Sequence, residues 1–453
     1  MEQKTKTTRA VDMTSGSIVR LLVAFSIPLL MGNLFQQLYN TVDSLVVGNF
    51  VGTQALAAVG STTSIVNTVV LFFNGVSVGA GVIISRYYGA HDDEKLHLAV
   101  ETTLAVTFIC GVLCTFLGIY MTPFMLRLMS TPDDVITHSA TYLRIYFGGV
   151  SGLLVYNMGS AILRAVGDTK RPLMFLILSS VLNIFLDLLF VLAFHLGIAG
   201  VAYATILSQF ISAILVLLLL TKSHENYRFV WRDLAINARM LKQILVIGLP
   251  AGLQQSITAF SNVYVQSYIN SFGSACMAGW SCYIKIDQFV MLPLQSMAQA
   301  ITTFVSQNVG AKNLKRAKRG TIVALGLSSG VIFVIALTLW FASPQMVALF
   351  NQEEDVIYYG VLFMKLCVLL TVTCCANQVF AGTLRGVGDA RTPMFIMLFS
   401  YVVFRQCYLY IVSQVHHSPY TIGFAYPAGW ITCSLLLAAY YYFSGWEKKV
   451  RME

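Results

Sequence analysis

Long stretches of uncharged, apolar residues constrain this chain more than any other feature. Residues 197–220 contain no charged side chain, and neither do residues 321–350. A helix of about 20 apolar residues spans the hydrocarbon core of a bilayer. Each stretch is therefore long enough to cross a membrane.

Twelve apolar spans can be read along the chain. Only helices and closed barrels satisfy their own backbone polar groups in lipid, and these spans lack the strict alternation of barrel strands. Charged residues make up 11% of the chain, against about 25% in an average soluble domain. The sequence therefore predicts an all-α polytopic membrane protein with twelve transmembrane helices, at residues 21–45, 54–84, 99–122, 140–163, 173–195, 200–220, 243–268, 276–308, 320–341, 355–383, 394–414 and 422–445.

The basic residues are distributed asymmetrically between the loops. Of the 29 Lys and Arg residues, 24 lie in the two tails and in alternate loops, whereas the opposite loops contain only Arg127. This positive-inside pattern predicts that both termini are cytoplasmic. The net charge of +9 then reflects topology, and it favours anionic membrane lipids, not nucleic acid, as partners.

An internal repeat divides the chain into halves. The segment LRAVGDTKRP begins at residue 163, and LRGVGDARTP begins 221 residues later, at residue 384. Each half holds six spans, an even number, so the halves share one orientation and are related by a pseudo-two-fold axis along the membrane normal. We expect a six-helix lobe at 1–220, a cytoplasmic linker at 221–242 and a second six-helix lobe at 243–453. The glycines and prolines of the repeated segment suit a tight turn and a helix start, which indicates a structural role.

Two acidic residues lie inside spans of the first half only. At the repeat spacing, Asp43 corresponds to Tyr264, and Asp187 corresponds to Tyr408. An acid at the centre of a membrane helix costs about 2.5–3.5 kcal/mol on insertion scales, and such residues commonly carry function. The alternative is that each aspartate caps a helix or pairs within the bundle.

Helix geometry predicts that these acids meet two further oxygen-bearing side chains. With a rise of about 1.5 Å per residue, Asp187 lies past the midplane of span 5, and Thr205 lies ~8 Å into span 6. Asn183 is one turn before Asp187, on the same helix face. Two carboxylates in a dry bundle raise each other's affinity for a proton and titrate as a unit. The same oxygens suit Na⁺, so Asp43, Asn183, Asp187 and Thr205 form a predicted cation site.

Other polar residues in the spans are candidates for a substrate cleft. They are Tyr39, Asn40, Asn157, Lys285, Asp287 and Gln378. Lys285 and Asp287 could instead neutralise each other, while Asn157 and Gln378 could form hydrogen bonds between helices.

Enzyme chemistry finds no support in the sequence. No phosphate-binding Walker motif occurs, no nucleophile and base are clustered, and the nine Cys residues form no CxxC pair. We therefore expect no enzyme activity, no cofactor and no metal beyond Na⁺ at the two aspartates. Transport would have to use an ion gradient.

Several segments together resemble the multidrug and toxic compound extrusion (MATE) family. They are LYNTVDSLVVGNFVG, VGAGVIISRYYGA, the two copies of the repeat and KIDQFVMLPLQSMAQAITTFVSQNVGA. Within that family the chain resembles the DinF-like branch, in which an acid in span 1, an Asn-x-x-x-Asp in span 5 and a Thr in span 6 form the cation site. The NorM-like branch has acids in spans 7 and 10, where this chain has Gln254, Gln255 and Lys365.

The resemblance implies two lobes around a V-shaped cleft and transport by alternating access. The expected function is an H⁺- or Na⁺-coupled antiporter in the bacterial plasma (inner) membrane that exports amphipathic, often cationic drugs, acting as a monomer. The alternative is a lipid-linked oligosaccharide flippase of the same superfamily. Such a protein needs a cationic cavity, for which Lys285, Lys365 and Arg405 are candidates.

Overall fold

The computed structural model describes residues 11–129 and 133–447, which form helices and connecting segments without any β-strand. The helices of this part of the chain, numbered in order, are α1 (Ile18–Val46), α2 (Thr53–Gly89), α3 (Asp93–Leu128), α4 (Asp133–Ala165), α5 (Lys170–Leu188), α6 (Gly197–Lys222), α7 (Ala238–Asn270), α8 (Ser274–Gly310), α9 (Leu314–Phe341), α10 (Ser343–Ala348), α11 (Glu354–Cys367), α12 (Thr373–Gly386), α13 (Arg391–Leu398), α14 (Arg405–Val415), α15 (Pro419–Gly423) and α16 (Ala425–Phe443).

The all-helical membrane architecture is confirmed. Among the described residues, eleven helices are long and apolar enough to cross a membrane, and the pair α11 and α12 makes a twelfth span if it is counted as one. These spans coincide with the twelve apolar stretches of the sequence, because only runs of that length can cross the hydrocarbon as helices.

The tenth span is broken, which its apolar composition did not indicate. Its two helices bend by 41° around a short 3₁₀ turn at Leu370–Val372. Near this turn the Thr371 hydroxyl donates to the carbonyl of Cys367 (3.3 Å), and the Thr373 hydroxyl donates to that of Leu370 (2.7 Å). Threonine side chains that bond back to their own helix bend it, which accounts for a break without proline or glycine.

The chain divides into two compact units. Unit 1 contains Met31–Gly248 together with the short segment that ends at Asp12, and unit 2 contains Met13–Leu30 and the residues from Leu249 onward. The division falls inside α1 and α7, which carry Pro28 and Pro250. A proline inside a helix removes a backbone hydrogen bond and favours a bend at that point.

In unit 1, α4 packs against α2, α3 and α6. The segment between α6 and α7 contains only a 3₁₀ turn, Trp231–Asp233, and it packs on α3. Its residues Tyr227 and Phe229 are buried, and the Val230 N–H donates to a carboxylate oxygen of Glu101 (2.8 Å). This connection is therefore anchored to unit 1.

In unit 2, α8 packs against α9, α11 and α12. The approach of α8 and α11 depends on glycine, because a Cβ at Gly279 would lie 2.7 Å from the backbone nitrogen of Gly360. Met13 is fully buried in this unit, where its N–H donates to Gln307 Oε1 (2.9 Å) and its carbonyl accepts from Asn308 Nδ2 (3.2 Å).

The repeated segment forms the same turn in both units. Gly167 and Gly388 have φ values of +90° and +97°, a left-handed conformation that favours glycine. Asp168 accepts a hydrogen bond from the backbone N–H of Arg171, and Asp389 accepts one from Thr392. The duplicated residues thus link a membrane helix to the start of the next helix.

Candidate cation site

The four residues predicted to bind a cation all lie in the interior of unit 1. Asp43 is on α1, Asn183 and Asp187 are one turn apart on α5, and Thr205 is on α6, which packs against α5. Asp187 is 0% exposed and Asp43 is 9% exposed. Helix geometry predicts that the four side chains meet, and the structure places them on three helices of the same unit.

The carboxyl groups of Asp43 and Asp187 lie within hydrogen-bonding reach of each other. Two carboxyl groups can form such a bond only when one of them carries a proton, because an ionised carboxylate is an acceptor only. None of the five ion pairs in the described part of the chain includes either aspartate. No basic side chain therefore neutralises the pair there.

Apart from the contact between the two carboxyl groups, several polar atoms at this site have no hydrogen-bond partner among the described residues. They are both carboxyl oxygens of Asp187, one of Asp43, and the amide oxygen and nitrogen of Asn183. The Thr205 hydroxyl donates to the carbonyl of Val201 (3.0 Å), which leaves its oxygen able to accept or ligate. Buried polar atoms without partners are costly. This cluster of oxygens can therefore hold a proton or a hard monovalent cation.

Two tyrosines lie near the carboxyl pair, and a third stacks on one of them. Tyr39 on α1 and Tyr142 on α4 lie close enough to both carboxyl groups to interact electrostatically. Tyr142 stacks on Tyr146, with ring centroids 6.2 Å apart. The tyrosine on α1 is a predicted cleft residue, whereas the two on α4 were missed, because tyrosine within an apolar span gives no distinctive signal.

Both aspartates precede a π-helical segment. Val47–Val51 follows the helix of Asp43, and Leu189–Ala193 follows the helix of Asp187. A π-helical turn widens the backbone and occurs often at functional sites. These segments had no counterpart in the sequence predictions.

The remaining cleft candidates are dispersed. In unit 1, Asn40 is exposed on α1 and Asn157 is half-buried on α4. In unit 2, Gln378 is half-buried on α12, whereas Lys285 and Asp287 are two residues apart on α8. The structure brings Tyr39 into electrostatic contact with the carboxyl pair.

Mutual neutralisation of Lys285 and Asp287 is wrong for the described structure, where the two residues do not form an ion pair. Residues two apart on a helix face different directions. The Lys285 ammonium lies 5.7 Å from the ring centroid of Phe350 instead.

The basic residues considered for a flippase cavity have separate surroundings. The Lys365 ammonium lies over the ring of Trp340. Arg405 is buried, its Nη2 donates to Ser261 Oγ and Asn262 Oδ1 (both 2.9 Å), and it stacks on a tyrosine. The described structure therefore gives the flippase alternative no support.

Asn377, the neighbour of the predicted Gln378, is the most fully bonded polar side chain of α12. Its amide nitrogen donates to the Tyr401 hydroxyl (3.0 Å) and the Trp430 carbonyl (3.3 Å), and its oxygen accepts from Ser434 (2.8 Å). The sequence left open a cleft role and a hydrogen-bonding role for Gln378, and in the described structure the interhelical hydrogen bonds at this place are made by its neighbour Asn377.

Comparison with known proteins identifies the family. The MatE family model matches residues 28–189 and 250–411, one match in each half. The chain is 30% identical to the probable multidrug resistance protein YoeA of Bacillus subtilis (strain 168) over 443 residues, which cover 96% of this chain and 95% of that protein. It is 22% identical to the multidrug export protein MepA of Staphylococcus haemolyticus (strain JCSC1435), with 83% of each chain covered.

Solved structures of the same fold are also found. A multidrug resistance MATE family transporter of the MOP superfamily, in an outward-facing conformation, superposes with a TM-score of 0.91 at 23% identity, covering 99% of this chain and 100% of that one. A MOP superfamily transporter from Pyrococcus furiosus superposes with a TM-score of 0.87 at 24% identity, covering 98% and 99%. The two matches of the family model and the extent of these similarities show that the chain is a transporter of the MatE family, not an enzyme.

Proposed function

We propose that the chain is an H⁺- or Na⁺-coupled antiporter that exports amphipathic, often cationic, compounds by alternating access. The observation that carries this proposal is the buried pair Asp43 and Asp187, whose oxygens lack fixed donors in the described structure. The relatives named as multidrug resistance and multidrug export proteins support the substrate class.

Coupling follows because binding of H⁺ or Na⁺ reduces the negative charge of this carboxyl pair. With neither a proton nor Na⁺ bound, two carboxylates would repel each other in a medium that screens charge poorly. One shared proton permits a hydrogen bond between them. A Na⁺ ion would find oxygen ligands on Asp43, Asp187, Asn183 and Thr205. Either ion lowers the free energy of the arrangement in which α1 and α5 are held together.

The first helix is the element through which binding can act. Asp43 lies 15 residues after Pro28 on α1, a distance of ~22 Å along the helix. Pro28 is also two residues before the point where α1 passes from unit 2 to unit 1. A cation that draws Asp43 toward Asp187 would therefore favour one bend of α1 over another, and this difference in conformation is what alternating access requires.

The substrate would be held without strong hydrogen-bond specificity. The intramembrane faces of both units are rich in apolar and aromatic residues, and the predicted cleft candidates Tyr39, Asn40, Asn157, Lys285, Asp287 and Gln378 supply few charges. Loose apolar recognition suits a broad range of amphipathic compounds.

Efflux of the cationic dye ethidium from proteoliposomes tests the proposal. Wild type, Asp43→Asn and Asp187→Asn are compared under an imposed pH or Na⁺ gradient, with Asp355→Asn, at the exposed first turn of α11, as the matched acid-to-amide control. We expect one gradient to drive efflux in the wild type and the control, and neither site variant to respond. An efflux rate that is the same with and without either gradient would contradict the proposal.

A further inference from the structure

A groove runs along the face of α11 that points away from α8. Its volume is about 920 Å³, and its walls include Trp340, Tyr358, Leu362, Lys365, Leu369 and Phe424. The opposite face of α11 is buried against α8, where Gly360 meets Gly279 and Phe363 meets Trp280. The groove therefore lies on a surface of unit 2 separate from the cation site of unit 1.

Among the described residues that line this groove, Lys365 is the only basic one. It lies eleven residues after Glu354, the first residue of α11, which places its Cα ~16 Å along the helix. Its ammonium is 5.4 Å from the ring centroid of Trp340, one residue before the end of α9. The side chain thus carries its charge toward the same membrane surface as the start of α11, as long basic side chains in membranes do.

The charge of Lys365 is not neutralised by protein in the described residues. No carboxylate there lies within 4.0 Å of its ammonium, and the side chain is exposed. Glu354 also lines the groove, but at the start of the helix. A cation that faces lipid without a counter-ion is costly, and the phosphate of a lipid headgroup is the anion that a lysine extended toward the membrane surface can meet.

The rest of the groove matches an acyl chain. Beyond Lys365 toward the break of the tenth span, the walls are the side chains of Leu366, Leu369 and Leu370. The groove thus has Lys365, Trp340 and Glu354 on the side of the start of α11, and its walls toward the break of the tenth span are apolar. Its volume is in the range of roughly 300–1,000 Å³ that is typical of small-molecule sites.

We propose that this groove binds a membrane phospholipid, with its phosphate on the Lys365 ammonium and one acyl chain along Leu362, Leu366 and Leu369. The inference is independent of the coupling ion and of the transported substrate. It assigns a lipid site to unit 2. The specificity of this site comes from one charge contact, at the end of the apolar groove that contains Trp340.

Trp340 supplies a reporter for this site. The purified full-length protein in detergent is titrated with phosphatidylglycerol that carries bromine on its acyl chains, which quenches nearby tryptophan fluorescence. The Trp340 signal is the part of the fluorescence that Trp340→Phe removes. Diacylglycerol with the same brominated chains is the control ligand, because it lacks the phosphate.

The variants are Lys365→Met, which keeps the apolar stem without the charge, Lys365→Arg, which keeps a cation, and Lys285→Met, which removes a membrane lysine outside the groove. We expect saturable quenching by phosphatidylglycerol that weakens by about tenfold or more in Lys365→Met, since a charge-assisted bond is lost. Lys365→Arg and Lys285→Met should keep it. Equal quenching by the two lipids, or equal affinity in Lys365→Met and wild type, would overturn the proposal.

Discussion

The buried amide of Asn377 should stabilise unit 2, while the adjacent Gln378 should not. Asn377→Leu removes three hydrogen bonds, to Tyr401, Trp430 and Ser434. Hydrogen bonds between membrane helices average about 0.6 kcal/mol, with a maximum of about 1.7. The variant should therefore lose about 2 kcal/mol, and at most about 5, of the free energy of unfolding. Gln378→Leu, at a half-buried position without such bonds, should change it by less than about 0.5 kcal/mol.

The assay is the thermal exposure of buried cysteines to a fluorogenic maleimide. Cys367, Cys374, Cys375 and Cys433 are free thiols buried in unit 2, so their reaction follows the loss of packing around Asn377. From an unfolding entropy of about 2 cal/mol/K per residue, 2 kcal/mol corresponds to a fall in Tm of about 2 °C for a chain of this length. A Tm for Gln378→Leu that falls as far as that of Asn377→Leu would refute the assignment of these hydrogen bonds as the stabilising feature.

Two of the three further predictions use the same thermal assay, whereas the third, on Asp92 in unit 1, is followed by the loss of helical circular dichroism on heating, because maleimide reacts with the thiolate and fails at low pH. Gly279→Val should lower the Tm by about 1–3 °C, since its Cβ would meet the backbone of α11, whereas Gly326→Val, with open space around it, should not. Arg405→Lys should also be less stable than wild type, by about 1–3 kcal/mol, because lysine cannot keep both the paired hydrogen bonds and the stacking on Tyr426. Asp92→Ala should cost about 1 kcal/mol, since Asp92 caps α3. A hydrogen bond from the side chain of Lys95 holds the pKa of Asp92 below its ordinary value, so this cap should contribute fully above about pH 4 and be lost as the pH falls through the lower pKa of the folded state.

The membrane spans could be predicted from sequence because the bilayer permits so few alternatives. Uncharged runs such as residues 197–220 have to form helices, and the helix α6 that contains this run is Gly197–Lys222. The burial of Asp187 and Asn183 on one face of α5 could also be predicted, because a spacing of four residues determines a shared helix face.

Other features depend on tertiary contacts that no local pattern encodes. Met13 precedes the first membrane helix in a polar part of the sequence, yet it is fully buried. Its backbone forms hydrogen bonds with residues nearly 300 positions away, Gln307 and Asn308. The break between α11 and α12 contains no proline or glycine, and it coincides with hydroxyl groups that bond to their own backbone. Lys285 and Asp287 are two residues apart in the sequence but do not form an ion pair in the described structure, which only the placement of α8 within unit 2 reveals.

The most direct test of the proposed coupling is the reverse exchange. An inward ethidium gradient is imposed on proteoliposomes, and the movement of H⁺ is followed with a trapped pH dye and that of Na⁺ with a radiotracer. The account predicts that dye entry drives one of these cations in the opposite direction, and that both Asp43→Asn and Asp187→Asn abolish this counter-movement while the folded variants keep the wild-type Tm within a few degrees. Dye movement without any cation exchange, or exchange that persists in both variants, would contradict the claim that this carboxyl pair couples the two fluxes.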